Sequence, residues 1–164
     1  MRKVTIGFSK PNTFKIGAEL EKLWTNSPYS HVYVRYHDDQ NRDVVFQASH
    51  GSVHPQLYVN FLSDNIMIDE FSMDFTDQEY QNMRDFYYNK MGELYAYKDL
   101  AVIFLYDCLI RLGIKFNDLS VPGYICSSLV AAMMKEVKGV KFDKPENLMR
   151  PDDVYKYLVG LERK

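Results

Sequence analysis

The tightest constraint on the fold is a pair of alternating runs with almost nothing between them. Ser30-His-Val-Tyr-Val-Arg-Tyr36 alternates with a period of two, and so does Asp43-Val-Val-Phe-Gln-Ala-Ser49. Only His37 and the polar turn Asp38-Asp-Gln-Asn-Arg42 separate them. Strands joined by so short a turn pair as an antiparallel hairpin, because a parallel pair needs a long crossover. Val32, Val34 and Tyr36 then share one face, and His31, Tyr33 and Arg35 the other. With the turn centred near Asp39 or Gln40, His31 faces Gln47 or Ser49. Either register puts Gln47 on the His31 face, whereas His50 has the wrong parity unless a bulge intervenes.

The rest of the chain extends this sheet and covers it. Lys3 to Phe8 is a β-branched, alternating first strand, and Ser9-Lys-Pro-Asn-Thr13 is a turn. Phe14, Ala18, Leu20, Glu21, Leu23 and Trp24 suit a short amphipathic helix, which Asn26-Ser-Pro-Tyr29 ends. Val53 to Phe61 and Ile66 to Met73 read as two further strands, with Pro55 demoting the first to an edge. Thr76-Asp-Gln-Glu79 is a capping-box signature for a helix through about Lys90. A linker, 91–97, leads to a strongly apolar helix near 98–112, in which Cys108 is expected as a buried, inert core thiol. A loop, 113–122, follows. Lys138 to Arg150 is an irregular, charged connector. Pro151-Asp-Asp-Val154 opens a last helix, with proline in its first turn and acids at its positive end.

Between loop and connector lies Val121-Pro-Gly-Tyr-Ile-Cys-Ser-Ser-Leu-Val130. Cys126, Val130, Met133 and Val137 recur at helical spacing, so Cys126 stands in the first turn of a helix, at the edge of its buried stripe. Backbone N–H groups there lack intrahelical partners and the dipole is positive, which stabilises a thiolate. No Ser, Thr, Asp or Asn lies between Pro122 and Cys126 to cap those donors, and Gly123 is the one weak cap. Uncapped N–H groups beside a thiol are what an oxyanion hole requires. A core-filling role for Cys126 competes with this reading.

Composition narrows the function classes. A chain of 164 residues suits one domain, taken as 1–164, with a proper core. A net charge of −2 gives no general surface for nucleic acid. Two cysteines, Cys108 and Cys126, do not make a disulfide framework. The apolar run Val4–Phe8 is too short for a signal-peptide core, and no stretch is long enough to span a membrane. A cytoplasmic location is therefore expected. His50-Gly-Ser-Val-His54, or His31 with His37, offers two metal ligands but no convincing third, and no metal or other cofactor is expected.

A helix-end thiol and a strand histidine form the papain-type pair, and Gln47 stands where it would orient the imidazole. Tyr124-Ile-Cys-Ser-Ser-Leu-Val130 resembles the Tyr-Tyr-Cys-Ser-Glu-Leu-Val segment of the circularly permuted papain-like hydrolases, the YiiX-like branch of the NlpC superfamily of cell-wall peptidases. Ser30-His-Val-Tyr-Val34 resembles that branch's Ser-His-Val-Gly-Ile strand, and Val45-Phe-Gln-Ala48 its Val-Ile-Glu-Ala strand. Gly92-Glu-Leu-Tyr-Ala-Tyr97 and Arg150-Pro-Asp-Asp-Val-Tyr155 resemble its linker and closing helix. The likeness spans most of the chain, in the permuted order.

The resemblance implies an α+β fold, with a small antiparallel sheet packed against helices and the cysteine helix late in the chain. It implies a cysteine hydrolase of an amide or ester, with Cys126 as nucleophile, His31 as base and Gln47 as orienter. Tyr124 and Ser127 are the candidates for lining its pocket. The substrate would be a peptide, a peptidoglycan fragment or an acyl compound. Gln47 and Ser128 depart from the branch, which has Glu at both places; an amide carbonyl still orients an imidazole but stabilises its cation less. Two rival readings stand. One is a non-enzymatic binding module. The other is a lipid acyltransferase or thioesterase, which would have an apolar groove lined by Met133, Met134 and the Tyr-rich helix.

Overall fold

A computed structural model of the chain describes residues 1–13, 27–49, 51–93 and 125–162. In chain order the strands are β1 (Arg2–Pro11), β2 (His31–His37), β3 (Asp43–Ser49), β4 (Ser52–Leu57) and β5 (Asn65–Phe75). The helices are α1 (Tyr58–Asp64), α2 (Asp77–Lys90), α3 (Cys126–Lys138) and α4 (Pro151–Glu162), with a 3-10 turn at Glu146–Leu148. The fold is α+β: one five-stranded sheet, ordered β4-β3-β2-β1-β5, every neighbouring pair antiparallel. The expected helix near 14–25, the expected helix near 98–112 with Cys108, and His50 lie outside the described residues.

The hairpin turn sets the register from which the rest follows. Asp38 Oδ1 accepts the N–H groups of Gln40 and Arg42, and Oδ2 accepts Arg42 Nε. The bond from the Arg42 side chain holds the Asp38 carboxyl below its usual range. Asn41 supplies the left-handed residue, at φ 57°. His37 then pairs with Asp43 and Val34 with Phe46, which centres the turn on Gln40.

Even-numbered β2 residues face the main core. Val32, Val34, Phe46, Ala48, Ile6, Phe8 and Phe71 meet Met83, Phe86 and Tyr87 of α2 and Leu129, Met133 and Met134 of α3. Leu129, Met133 and Met134 are fully buried, each contributing about 1.5–3 kcal/mol. Burial on α3 reaches well beyond the expected stripe, because the helix is enclosed by the sheet, α2, the 3-10 turn and α4. Gly139, at φ 65°, ends it. The capping box at α2 forms as expected: Thr76 Oγ1 accepts Glu79 N–H, and Glu79 accepts Thr76 N–H.

The odd-numbered face carries a second, smaller core. The expectation of one strand across Val53–Phe61 is corrected here: β4 ends at Leu57 and α1 begins at Tyr58. Tyr58 and Phe61, three residues apart, share a helix face and pack on Tyr33 and Val45. That contact needs helical spacing, and alternation would have split the pair. Pro55 does lie in an edge strand. Glu70 fastens this layer, accepting the Tyr33 and Tyr58 hydroxyls and the Arg35 guanidinium, the last at 2.6 Å. Burial, then the Glu70 carboxylate, pushes the Tyr33 phenol far above its ordinary value, so it remains a donor.

The Tyr33 ring lies over Gly7, its partner on β1, where an added Cβ would overlap the ring. Glycine is required at this point in the strand because Tyr33 is fully buried and has nowhere to move. Gly7→Ala is expected to cost about 1–3 kcal/mol in urea denaturation, and Tyr33→Leu to lessen that cost when the two are combined. Additive losses would mean that the overlap is relieved elsewhere.

Candidate active site

β2 and β3 bring His31 and Gln47 together. Both are odd-numbered, and the hairpin register puts them on one face. His31 Nε2 and Gln47 Oε1 are 2.8 Å apart, although the residues are separated by 16 positions. Gln47 is 3% exposed, and a buried carboxamide needs partners at both ends. Its Nε2 donates to Gln56 Oε1 on β4 at 2.9 Å. With that end committed to donating, the carbonyl end faces the imidazole and accepts His31 Nε2–H. The lone pair then resides on Nδ1. The His31 ring centroid stands 6.2 Å from that of Phe61, so α1 forms one wall beside it. His54 lies directly across from Gln47, with Nδ1 at 3.1 Å from the Ser52 carbonyl.

Cys126 is the first residue of α3, is 3% exposed, and carries a thiol rather than half of a disulfide. The N-cap is Ile125 and not Gly123, so no side chain caps the first turn, and no acid stands in that turn. With no acid in the first turn, the helix dipole leaves this start electropositive. Ser128 Oγ accepts Ile125 N–H at 2.9 Å and donates to the Ile125 carbonyl at 3.1 Å. It thus makes the backward bond that a glutamate would make in a capping box. Ser127, expected at the substrate pocket, is instead fully buried and donates to the Met149 carbonyl at 2.6 Å. It acts as a fastener between α3 and the connector. Tyr124 lies outside the described residues.

The thiol and the imidazole are carried by elements that pack on each other, α3 and β2. Cys126 is part of the main core, and His31 opens β2 beside Gln47. Two links tie their neighbours in the chain to the region where α4 starts. Ser127 is tied to Met149, two residues before α4. Tyr29, two residues before His31, packs on Tyr155 in the second turn of α4, with ring centroids 5.0 Å apart.

Among the described residues no group of three His, Cys, Asp or Glu is placed to hold a metal ion. No helix among them is long and apolar enough to cross a membrane. The chain matches no family model, and no curated protein matches it.

Sequence reading missed Gln56 and Phe61. Both lie in the segment read as one strand, 53–61. Gln56 is legible in retrospect as a polar residue near Gln47 on the adjoining strand; Phe61 became a neighbour of His31 only when that segment broke into a helix. Ser128→Ala is expected to cost about 1 kcal/mol in urea denaturation, since it strips both bonds from the start of α3. Unchanged stability would show that water replaces the hydroxyl there.

Proposed function

We propose that the protein is a cysteine-dependent hydrolase of an amide or ester, with a permuted papain-like arrangement in which the histidine strand precedes the cysteine helix. The observation that carries the proposal is the 2.8 Å contact between His31 Nε2 and Gln47 Oε1. An imidazole held through Nε2–H presents Nδ1 as a base, the arrangement that a thiol nucleophile needs. The acid-free start of α3, and the contacts of Ser127 with Met149 and of Tyr29 with Tyr155, support Cys126 as that nucleophile.

In this mechanism His31 Nδ1 takes the Cys126 proton, and the thiolate attacks the substrate carbonyl. The oxyanion is stabilised by backbone N–H groups at the start of α3. Collapse expels the amine or alcohol, which takes its proton from the imidazolium. Water, deprotonated by the same imidazole, then cleaves the thioester and restores the thiol. Gln47 orients the imidazole but, being neutral, stabilises its cation less than a carboxylate does. A peptide, a peptidoglycan fragment and an acyl compound all suit the chemistry.

A binding module that keeps the fold is the second reading, favoured by the burial of Cys126 in the main core. The acyltransferase reading loses its expected groove on α3, because Met133 and Met134 are fully buried core residues.

The test is iodoacetamide alkylation of Cys126 against pH, in a Cys108→Ser background. Cys126 is expected to alkylate well below the ordinary thiol value of about 8.5, and His31→Ala to move the profile to higher pH. Gln47→Ala should move it less, since it disturbs the orientation of the ring and not its charge. With an activated ester as substrate, Cys126→Ala and His31→Ala should each remove nearly all turnover, and Gln47→Ala should leave a measurable remainder. A profile unmoved by His31→Ala would leave the binding-module reading in possession.

A further inference from the structure

We propose that Gln56 is a positioning residue that decides which nitrogen of His31 carries the proton. The proposal rests on the reading of His31 as the base. His31, Gln47 and Gln56 form a chain of two hydrogen bonds across three neighbouring strands. A carboxamide has a donor end and an acceptor end, so each link dictates the next. With the Gln56 oxygen turned toward Gln47, the Gln47 nitrogen must donate to it, and the Gln47 oxygen must face the imidazole. Only the Nε2–H tautomer answers that oxygen, and the lone pair is left on Nδ1.

Reversal of Gln56 would reverse the whole chain. Its nitrogen would donate to the Gln47 oxygen, and the Gln47 nitrogen would turn to the ring. His31 would then have to accept at Nε2 and protonate at Nδ1. A base with its lone pair committed to Gln47 cannot take a proton from a thiol at Nδ1. Gln47 by itself is symmetric in shape and cannot choose between the two states. Its orientation therefore depends on what the side chain at position 56 presents to it across the β3–β4 pair. Gln56 stands on the edge strand and is half-buried, so side chains of different polarity fit there. It touches no reacting atom, and its influence passes entirely through Gln47.

Three substitutions separate this role from packing. Gln56→Glu keeps only the acceptor, Gln56→Lys offers only a donor, and Gln56→Leu offers neither. The tautomer of His31 is read by long-range nitrogen–proton NMR in a Cys126→Ala background near pH 9, where an ordinary imidazole is neutral. Loss of the signals in His31→Ala assigns them. The wild-type side chain and Gln56→Glu are expected to show Nε2–H, Gln56→Lys to favour Nδ1–H, and Gln56→Leu to show a mixture. With Cys126 restored and Cys108→Ser, alkylation at pH 7 should fall about tenfold in Gln56→Lys, the worth of one buried hydrogen bond, and should be retained in Gln56→Glu.

A tautomer that stays Nε2–H in both Gln56→Leu and Gln56→Lys overturns the proposal, whatever the alkylation shows. The Glu and Leu variants carry the same comparison if the lysine variant does not fold. A tautomer that follows Gln56 while alkylation ignores His31→Ala upholds the relay and overturns the hydrolase reading.

Discussion

The pairing of β2 with β3 is the interaction on which the remainder depends. Asp38 closes the turn with bonds to two backbone amides and to Arg42, and this locks His37 opposite Asp43. A slip of one residue would exchange the faces of a whole strand. Val32, Val34 and Phe46 would leave the core, and His31 and Gln47 would part company. The same local bonds therefore fix both the hydrophobic layer and the polar pair.

A sheet covered on both faces has unusual demands. The main core under α2, α3 and α4 follows from simple alternation. The second layer is built around Tyr33, which is fully buried although it belongs to the polar-looking side of its strand. Its hydroxyl is answered by Glu70, its ring by Phe61 and by the bare backbone of Gly7. Arg35 is held in the same cluster, paired with Glu70 and set 4.5 Å over the Tyr58 ring. A buried phenol, a carboxylate and a guanidinium are tolerated together because each satisfies another.

The candidate site inherits its geometry from this two-sided construction. The imidazole stands beside α1, and the thiol stands at the head of α3. Met149, just before α4, and Tyr155 within it tie down Ser127 and Tyr29, the neighbours of the two side chains. The helix start is left without a capping side chain or an acid, which concentrates the positive end of the dipole at Cys126. Ser128 occupies itself with Ile125, so order at the helix start is gained without placing a carboxylate beside the thiol.

Periodicity alone determined a good deal of this protein: the hairpin, the parity that joins His31 to Gln47, the capping box at Thr76, the edge character of Pro55, and the helix that opens at Cys126. Each of these is local, set by side chains within a few positions of one another. The tertiary structure decided what spacing cannot express. Residues 58–64 left the alternating pattern for a helix because Tyr33 and Val45 offered Tyr58 and Phe61 a surface. Gln56 entered the site because the register of β4 on β3 brought its carbonyl to the Gln47 nitrogen. Ser127 turned from a pocket residue into a fastener because a carbonyl from Met149 lay within reach. Those contacts join segments that the sequence holds apart, and their existence depends on packing energies summed over the whole sheet.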